Sequence, residues 1–345
     1  MRLYGRDWTR RELEARVGRL EQLGGVRRLQ LTDGPEAGVE QIQVRTGAGL
    51  SYYVSPQRGL DLALAEFAGA PLSWQAAGGD VHPAYYDPQG AGFLRTVAGG
   101  LLMTCGLTQV GRPCEDAGES LGRHGRAHHL PARQGSATGV WVGDEYEICV
   151  RGVIEETRLF GAHLRLMREL RSRLGVNAIR LTDVVENAGF QPAPHMLLYH
   201  FNFGFPLLSE ETTFEFPSRR VLNRDGGGTA GYQTWAPPQP GLAEQVFYHE
   251  DLVLERGWTA ATLRNPRFPC GGQPRPLSVR LHWATENLPR LVEWKMPGAG
   301  LHVLGVEPAN CYTEGRAAER QRGTLRMLAP GETLKYELRF EVNSD

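Results

Sequence analysis

The sequence predicts an all-β fold, a large antiparallel β-sandwich preceded by a short N-terminal helix. Three observations carry this. Apolar residues alternate with charged ones through residues 163–186 and again through residues 334–342. Turn formers are abundant, with 43 glycines and 22 prolines in 345 residues. A clear helix-starting signal stands near the start of the chain. Because all-β sandwiches run past about 200 residues as one unit, residues 1–345 are read as a single domain, with 1–25 as a helical extension.

In chain order, Thr9-Arg10-Arg11-Glu12 is a capping box, in which the hydroxyl and the carboxylate satisfy each other's free backbone N–H groups. Leu13, Val17 and Leu20 continue it at helical spacing as far as Gly24-Gly25. The period then changes to two. Ile42–Arg45 and Leu50–Val54 read as short strands, and Pro56-Gln57-Arg58-Gly59 turns into Leu60-Asp61-Leu62. Leu164, Leu166, Leu170 and Leu174 face one way and Arg165, Glu169, Arg171 and Arg173 the other. With Gly175-Val176-Asn177 as the turn, residues 163–186 form a hairpin. Residues 81–92 and 220–241, rich in Gly and Pro, read as long loops, where ligand contacts concentrate. Leu334, Tyr336, Leu338, Phe340 and Val342 mark a last, one-face-wet strand.

Composition narrows the function. Lys plus Arg is 38 and Asp plus Glu 39, a net charge of -1, so no overall field recruits nucleic acid or an anionic membrane. The five cysteines are scattered without zinc spacing. The N-terminus has no apolar leader and no run reaches membrane-spanning length, which gives a cytoplasmic address as the expectation. No dinucleotide or Walker loop and no Gly-x-Ser-x-Gly elbow occurs. The expected partner is a small molecule, without cofactor or metal; monomer and homodimer both stay open.

Three short words carry the chemistry: His124-Gly125-Arg126, Tyr199-His200-Phe201-Asn202-Phe203-Gly204 and Gly305-Val306-Glu307-Pro308. His200 and Asn202, at i and i+2, share one face of an apolar strand. His200 reads either as a buried, satisfied histidine or as a general acid near neutral pH. Glu307, among apolar neighbours, reads as a base of raised pKa or as an ion-pair partner of Arg316 or Lys295. His124 with His128 and His129 suggests a metal less readily than a hydrogen bond to a ligand, since the helical spacing of ligands is missing. Arg58, Asp61, Arg126, His249, Lys295 and Asn310 are further candidates for binding a ligand, and Trp74, Trp235 and Trp294 for stacking on it.

From Arg58-Gly59-Leu60-Asp61 through residues 99–106 and the three words to Glu307-Pro308-Ala309-Asn310-Cys311, the chain resembles the aldose 1-epimerase (galactose mutarotase-like) superfamily, and more closely its DUF4432 branch. The resemblance implies a supersandwich with a sugar cleft on one sheet. It also implies catalytic roles: His200 as acid to the ring oxygen, Glu307 as base to the anomeric hydroxyl, and His124 holding the ring oxygen. The implied reaction is cofactor-free ring opening and reclosure. The aspartate that mutarotases use to bind sugar hydroxyls has no counterpart, since Glu244 to Asp251 is worded differently. Alternatives are a carbohydrate-binding protein without catalysis and a metal-assisted sugar isomerase on the same fold. A glycosidase would need a second carboxylate.

Overall fold

The two-residue period is realised as stacked antiparallel sheets. A computed structural model describes residues 1–344, and among these an eight-stranded and a twelve-stranded sheet face each other. The smaller sheet runs Arg133–Val142, Glu145–Thr157, His163–Arg173, Val176–Asn187, Thr333–Ser344, Gln273–Ala284, Trp258–Cys270, Thr213–Glu215. The larger runs Ser218–Asn223, Gln245–Leu252, Arg290–Gly298, Leu301–Ala309, Ala193–Phe203, Leu102–Leu107, Asp61–Phe67, then Leu50–Ser55, Glu40–Arg45 and Gly25–Gln30, with Ala70–Pro71 paired to Asp61–Phe67 and Arg326–Leu328 paired to Ala193–Phe203 off this path.

The core between them follows from the alternation. Leu164, Leu166 and Leu170 of one sheet meet Leu197, Tyr199, Phe201 and Phe203 of the other, and Phe201 and Phe203 each stack near Phe340. The residues between these on the strand Ala193–Phe203 point out of the other side of the larger sheet. There Met196 and Leu198 pack with Met103, Cys105, Val246 and Val292 as a second apolar cluster. The larger sheet therefore carries apolar residues on both faces, and the cluster on its outer face forms an apolar floor.

The predicted hairpin forms, with Leu170 opposite Leu181 and Arg171 opposite Arg180; its turn is Leu174-Gly175, one residue earlier than expected. The leucines skip two even positions, Ser172 and Arg168, and Arg168 is buried with them. Its guanidinium donates to Asp183 (2.7 Å) and to Asp61 (2.7 Å), and Tyr199 Oη donates to Asp183. The alternation thus includes a buried cation supplied with two carboxylates.

Two expectations change. The capping box at Thr9 is present, but the helix covers only Arg10–Glu14, followed by a 3-10 turn at Leu20–Gln22. Leu13 alone of the predicted stripe is buried, against Met1 and Leu174, and Gly18 costs a helix about 1 kcal/mol against Ala, so little favours extension. The loop predicted over 220–241 begins in a strand: Ser218–Asn223 pairs with Gln245–Leu252, Val221 lying opposite His249. No helix among the described residues is long and apolar enough to cross a membrane.

Candidate active site

Three neighbouring strands of the larger sheet set out the site in rows. Asn202 lies opposite Gly305, and Gly305 opposite Trp294. One step along, Glu307 lies opposite Val292, and the register between Leu198–Ala309 and Phe201–Val306 brings His200 level with Glu307. All these side chains point to the outer face and line a cavity of about 400 Å³ together with Trp74, Phe93, Arg123, His124, Arg224 and Glu244.

His200 Nε2 stands 3.0 Å from Glu307 Oε1, both groups nearly fully buried. The contact is close without hydrogen-bond geometry, so Glu307 Oε1, His200 Nδ1 and His124 Nδ1 are all buried and without a hydrogen-bond partner in the protein. Buried polar atoms are nearly always paired, and three orphans at one cavity mark a place prepared for a ligand's polar groups. Neither Arg316 nor Lys295 pairs with Glu307: Arg316 is taken by Asp116 and Glu119, Lys295 by the carbonyls of Gly231 and Thr234.

Gly305 makes room for this pair. A Cβ there would lie 2.5 Å from Glu307 Oε1 and 3.0 Å from both His200 Cε1 and Trp294 Cβ. The missing side chain lets the indole of Trp294 approach to 5.4 Å between ring centres, edge-on to His200. Glu244 fixes the rim, accepting from Trp294 Nε1 (2.9 Å) and from Arg224 Nη2 (3.0 Å).

His124 reaches the cavity from a pinned loop. Its backbone is left-handed, φ 56°, an uncommon state outside glycine, though one in which His is enriched together with Asn and Asp. Hydrogen bonds from His124 N to Gly111 O and from Gly106 N to His124 O hold it there. The following Gly125, φ 72°, is packed so that a Cβ would meet Gly106 O at 2.4 Å. Gly125 thereby permits the close packing of the loop against Gly106. The His124 ring lies 6.1 Å from that of His200. Burial, then the charges of His200, Arg123 and Arg224, push its pKa well below the ordinary value, so it is a neutral imidazole at pH 7.

Of the sequence-predicted residues, the cavity gathers His200, Glu307, His124 and Asn202, with Trp74 and Trp294. The others lie elsewhere. Lys295 is next to Trp294 and faces the opposite way. So does His249, buried between Ser218 Oγ (2.7 Å) and Glu293 Oε2 (3.1 Å), its pKa pushed down to about 3 by burial. Asn310, just past the end of Leu301–Ala309, accepts from Leu197 N at 2.8 Å within Ala193–Phe203. Arg126 lines separate cavities with Glu156 and Arg158, and Trp235 bonds His302.

Arg58 and Asp61 belong to the interior. Asp61 accepts from Thr104 Oγ1 and Arg168 on one oxygen and from Thr104 N and His128 Nδ1 on the other. Four donors fill what a carboxylate offers, leaving nothing for a ligand hydroxyl. Burial pushes its pKa up, but the His128 hydrogen bond, the Arg168 and His128 charges and Thr104 outweigh that and hold it below the usual range. Arg58 bonds the carbonyl of Val81 and, at 3.0 Å, His128 Nε2. Among the described residues, no group of three His, Cys, Asp or Glu side chains is disposed to hold a metal ion.

Sequence reasoning missed Arg95, Arg123 and Arg224 as cavity residues. Arg224 lay within a flagged loop, and Arg123 stood beside a named histidine; no motif marked either.

The architecture is that of the galactose mutarotase-like proteins. A protein from Klebsiella pneumoniae subsp. pneumoniae, provisionally assigned as an aldose 1-epimerase, superposes with TM-score 0.82 at 26% identity over 92% of this chain and 83% of that one. A galactose mutarotase-like protein from Clostridium acetobutylicum gives TM-score 0.61 at 12% identity (93% and 99% covered). A galactose 1-epimerase from Lactobacillus acidophilus gives 0.55 at 12% (92% and 98%). No curated protein matches the sequence. Residues 36–342 match the family described as Domain of unknown function (DUF4432), and the chain belongs to that family.

Proposed function

We propose that this chain is a cofactor-free sugar epimerase of the mutarotase type, with a small sugar as its partner. The observation that carries the reading is the buried His200–Glu307 pair at 3.0 Å on one cavity wall. Anomer exchange needs a proton removed from the anomeric hydroxyl and one given to the ring oxygen. Both oxygens sit on the same carbon, so acid and base must be neighbours.

In this mechanism Glu307 takes the hydroxyl proton as His200 gives its proton to the ring oxygen. The bond from the anomeric carbon to the ring oxygen breaks and the aldehyde forms. After rotation about the adjacent carbon–carbon bond the same groups run the steps backwards, giving the other anomer and restoring both protonation states. Neutral His124 donates a hydrogen bond to the ring oxygen, Asn202 takes a hydroxyl, and the faces of Trp74 and Trp294 suit the apolar side of a pyranose. The fold relatives named for mutarotation support the reading.

The test is magnetisation-exchange NMR of anomers across neutral aldoses, uronic acids and sugar phosphates. At least one sugar should exchange well above its spontaneous rate; if every sugar stays at background, the reading fails. Gly305→Ala should lower that rate by about tenfold or more, because the methyl must displace Glu307 Oε1. The variant should still fold, with overpacking costing about 1–3 kcal/mol. An unchanged rate in this variant would mean that the position of Glu307 does not matter.

A further inference from the structure

Three guanidiniums, those of Arg95, Arg123 and Arg224, line the cavity, against the two carboxylates Glu244 and Glu307. The carboxylates are already engaged. Glu244 holds Arg224 and Trp294, and Glu307 faces His200. Arg224 is further paired with Asp225 at 2.8 Å. Arg123 is different: among the described residues it forms no ion pair, and its Nε is buried with no hydrogen-bond partner. Its chain position is fixed, since Arg123 N donates to Gly90 O at 3.1 Å and the next residue is the pinned His124.

Arg123 is half-buried, and the part of its guanidinium withdrawn from water, Nε, has neither a hydrogen-bond partner nor a counter-charge, which is costly. Neutral sugar hydroxyls would repay that poorly, whereas a carboxylate or phosphate matches its forked donors bidentately. The fields of Arg123 and Arg224 both reach the inner His124, lowering its proton affinity, so the positive charge is felt within the cavity as well as at its mouth.

We infer that the cavity takes a sugar bearing an anionic substituent, a carboxylate or a phosphate, bound by Arg123 with Arg224 beside it. This rests on the sugar-site reading above and deepens it. The anion anchors the ring so that its anomeric carbon faces His200 and Glu307.

The experiment measures anomer exchange and, by calorimetry, binding of glucose, glucuronate, glucose 6-phosphate, galactose and galacturonate to the full-length protein. One anionic class should exceed its neutral parent in kcat/KM by about tenfold to a hundredfold, the range of a charge-assisted hydrogen bond, and the margin should shrink as salt is raised. The uronate and phosphate arms identify which anion is meant. Arg123→Gln should erase most of that margin, and Arg123→Lys should restore part of it, because a point charge replaces the fork.

Equal handling of neutral and anionic sugars by the wild type overturns the inference and leaves the epimerase reading intact. So does a margin unchanged in a folded Arg123→Gln. Preferential binding of an anionic sugar with no anomer exchange supports the inference while removing the epimerase reading. Should Arg123→Gln not fold, the wild-type comparison and its salt dependence decide alone.

Discussion

Replacing Glu307 by Gln should lower catalysed anomer exchange by about 10²- to 10⁴-fold, the usual contribution of a positioned base, without unfolding the protein. The amide keeps the shape of the carboxylate and cannot take the hydroxyl proton. Some stability should be lost. Glu307 is 2% exposed and its Oε1 accepts no hydrogen bond in the protein, but the amide withdraws the counter-charge from the proton-carrying His200 3.0 Å away. The variant should therefore melt below the wild-type temperature while its NMR exchange rate falls towards background. A rate within twofold of wild type would remove Glu307 from the chemistry, whatever happened to stability.

That the pair could be named from sequence follows from how strands encode faces. His200 and Asn202 are two residues apart in a strand otherwise apolar, so their shared face is fixed by the period alone, and both line the cavity. The same rule explains the failures. Trp294 and Lys295 are adjacent, so they leave opposite faces of the sheet; composition does not say which face carries the site, and a choice wrong by one residue sends the side chain to the other side. His249 was lost in the same way, Val246 and the site lying on one face and His249 on the other.

Arg58 and Asp61 failed for a different reason. Their turn is legible locally, but the partner that claims Asp61 is Arg168, more than a hundred residues further on in the other sheet. Arg168 itself was the charged one of two gaps in a run of leucines at even positions, a signal of a buried charge. The arginines of the cavity had no periodic or motif signature, since their meaning comes from which loops the sheet brings together.

Arg168→Met should cost about 3–5 kcal/mol, the penalty for removing one partner of a buried ion pair. Arg168 donates from Nε and Nη2 to Asp183 at 3.0 and 2.7 Å, and from Nη1 to Asp61 at 2.7 Å and Gly59 O at 3.0 Å. All three side chains are sealed between the sheets. Methionine fills most of the volume, so the loss is that of the charge and its hydrogen bonds. The sign of the pH dependence separates this from a packing defect. In the wild type the pKa of Asp61 is held below the usual range, so its contribution is present above about pH 4 and is lost as pH falls through the lowered value. Without Arg168 the Asp61 carboxylate loses one of the charges that lower its pKa and takes up its proton at higher pH than in the wild type, so the variant's deficit shrinks on acidification. Urea unfolding at stepwise pH between 7 and 4 should show a deficit that is largest at pH 7 and narrows towards acid. A cost below about 1 kcal/mol, or a deficit that does not change with pH, would show that the buried charges are compensated by some other route. Because Tyr199 bonds Asp183 and precedes His200 in the chain, loss of this network should also loosen the strand that holds the proposed acid, lowering the exchange rate of the fraction that remains folded.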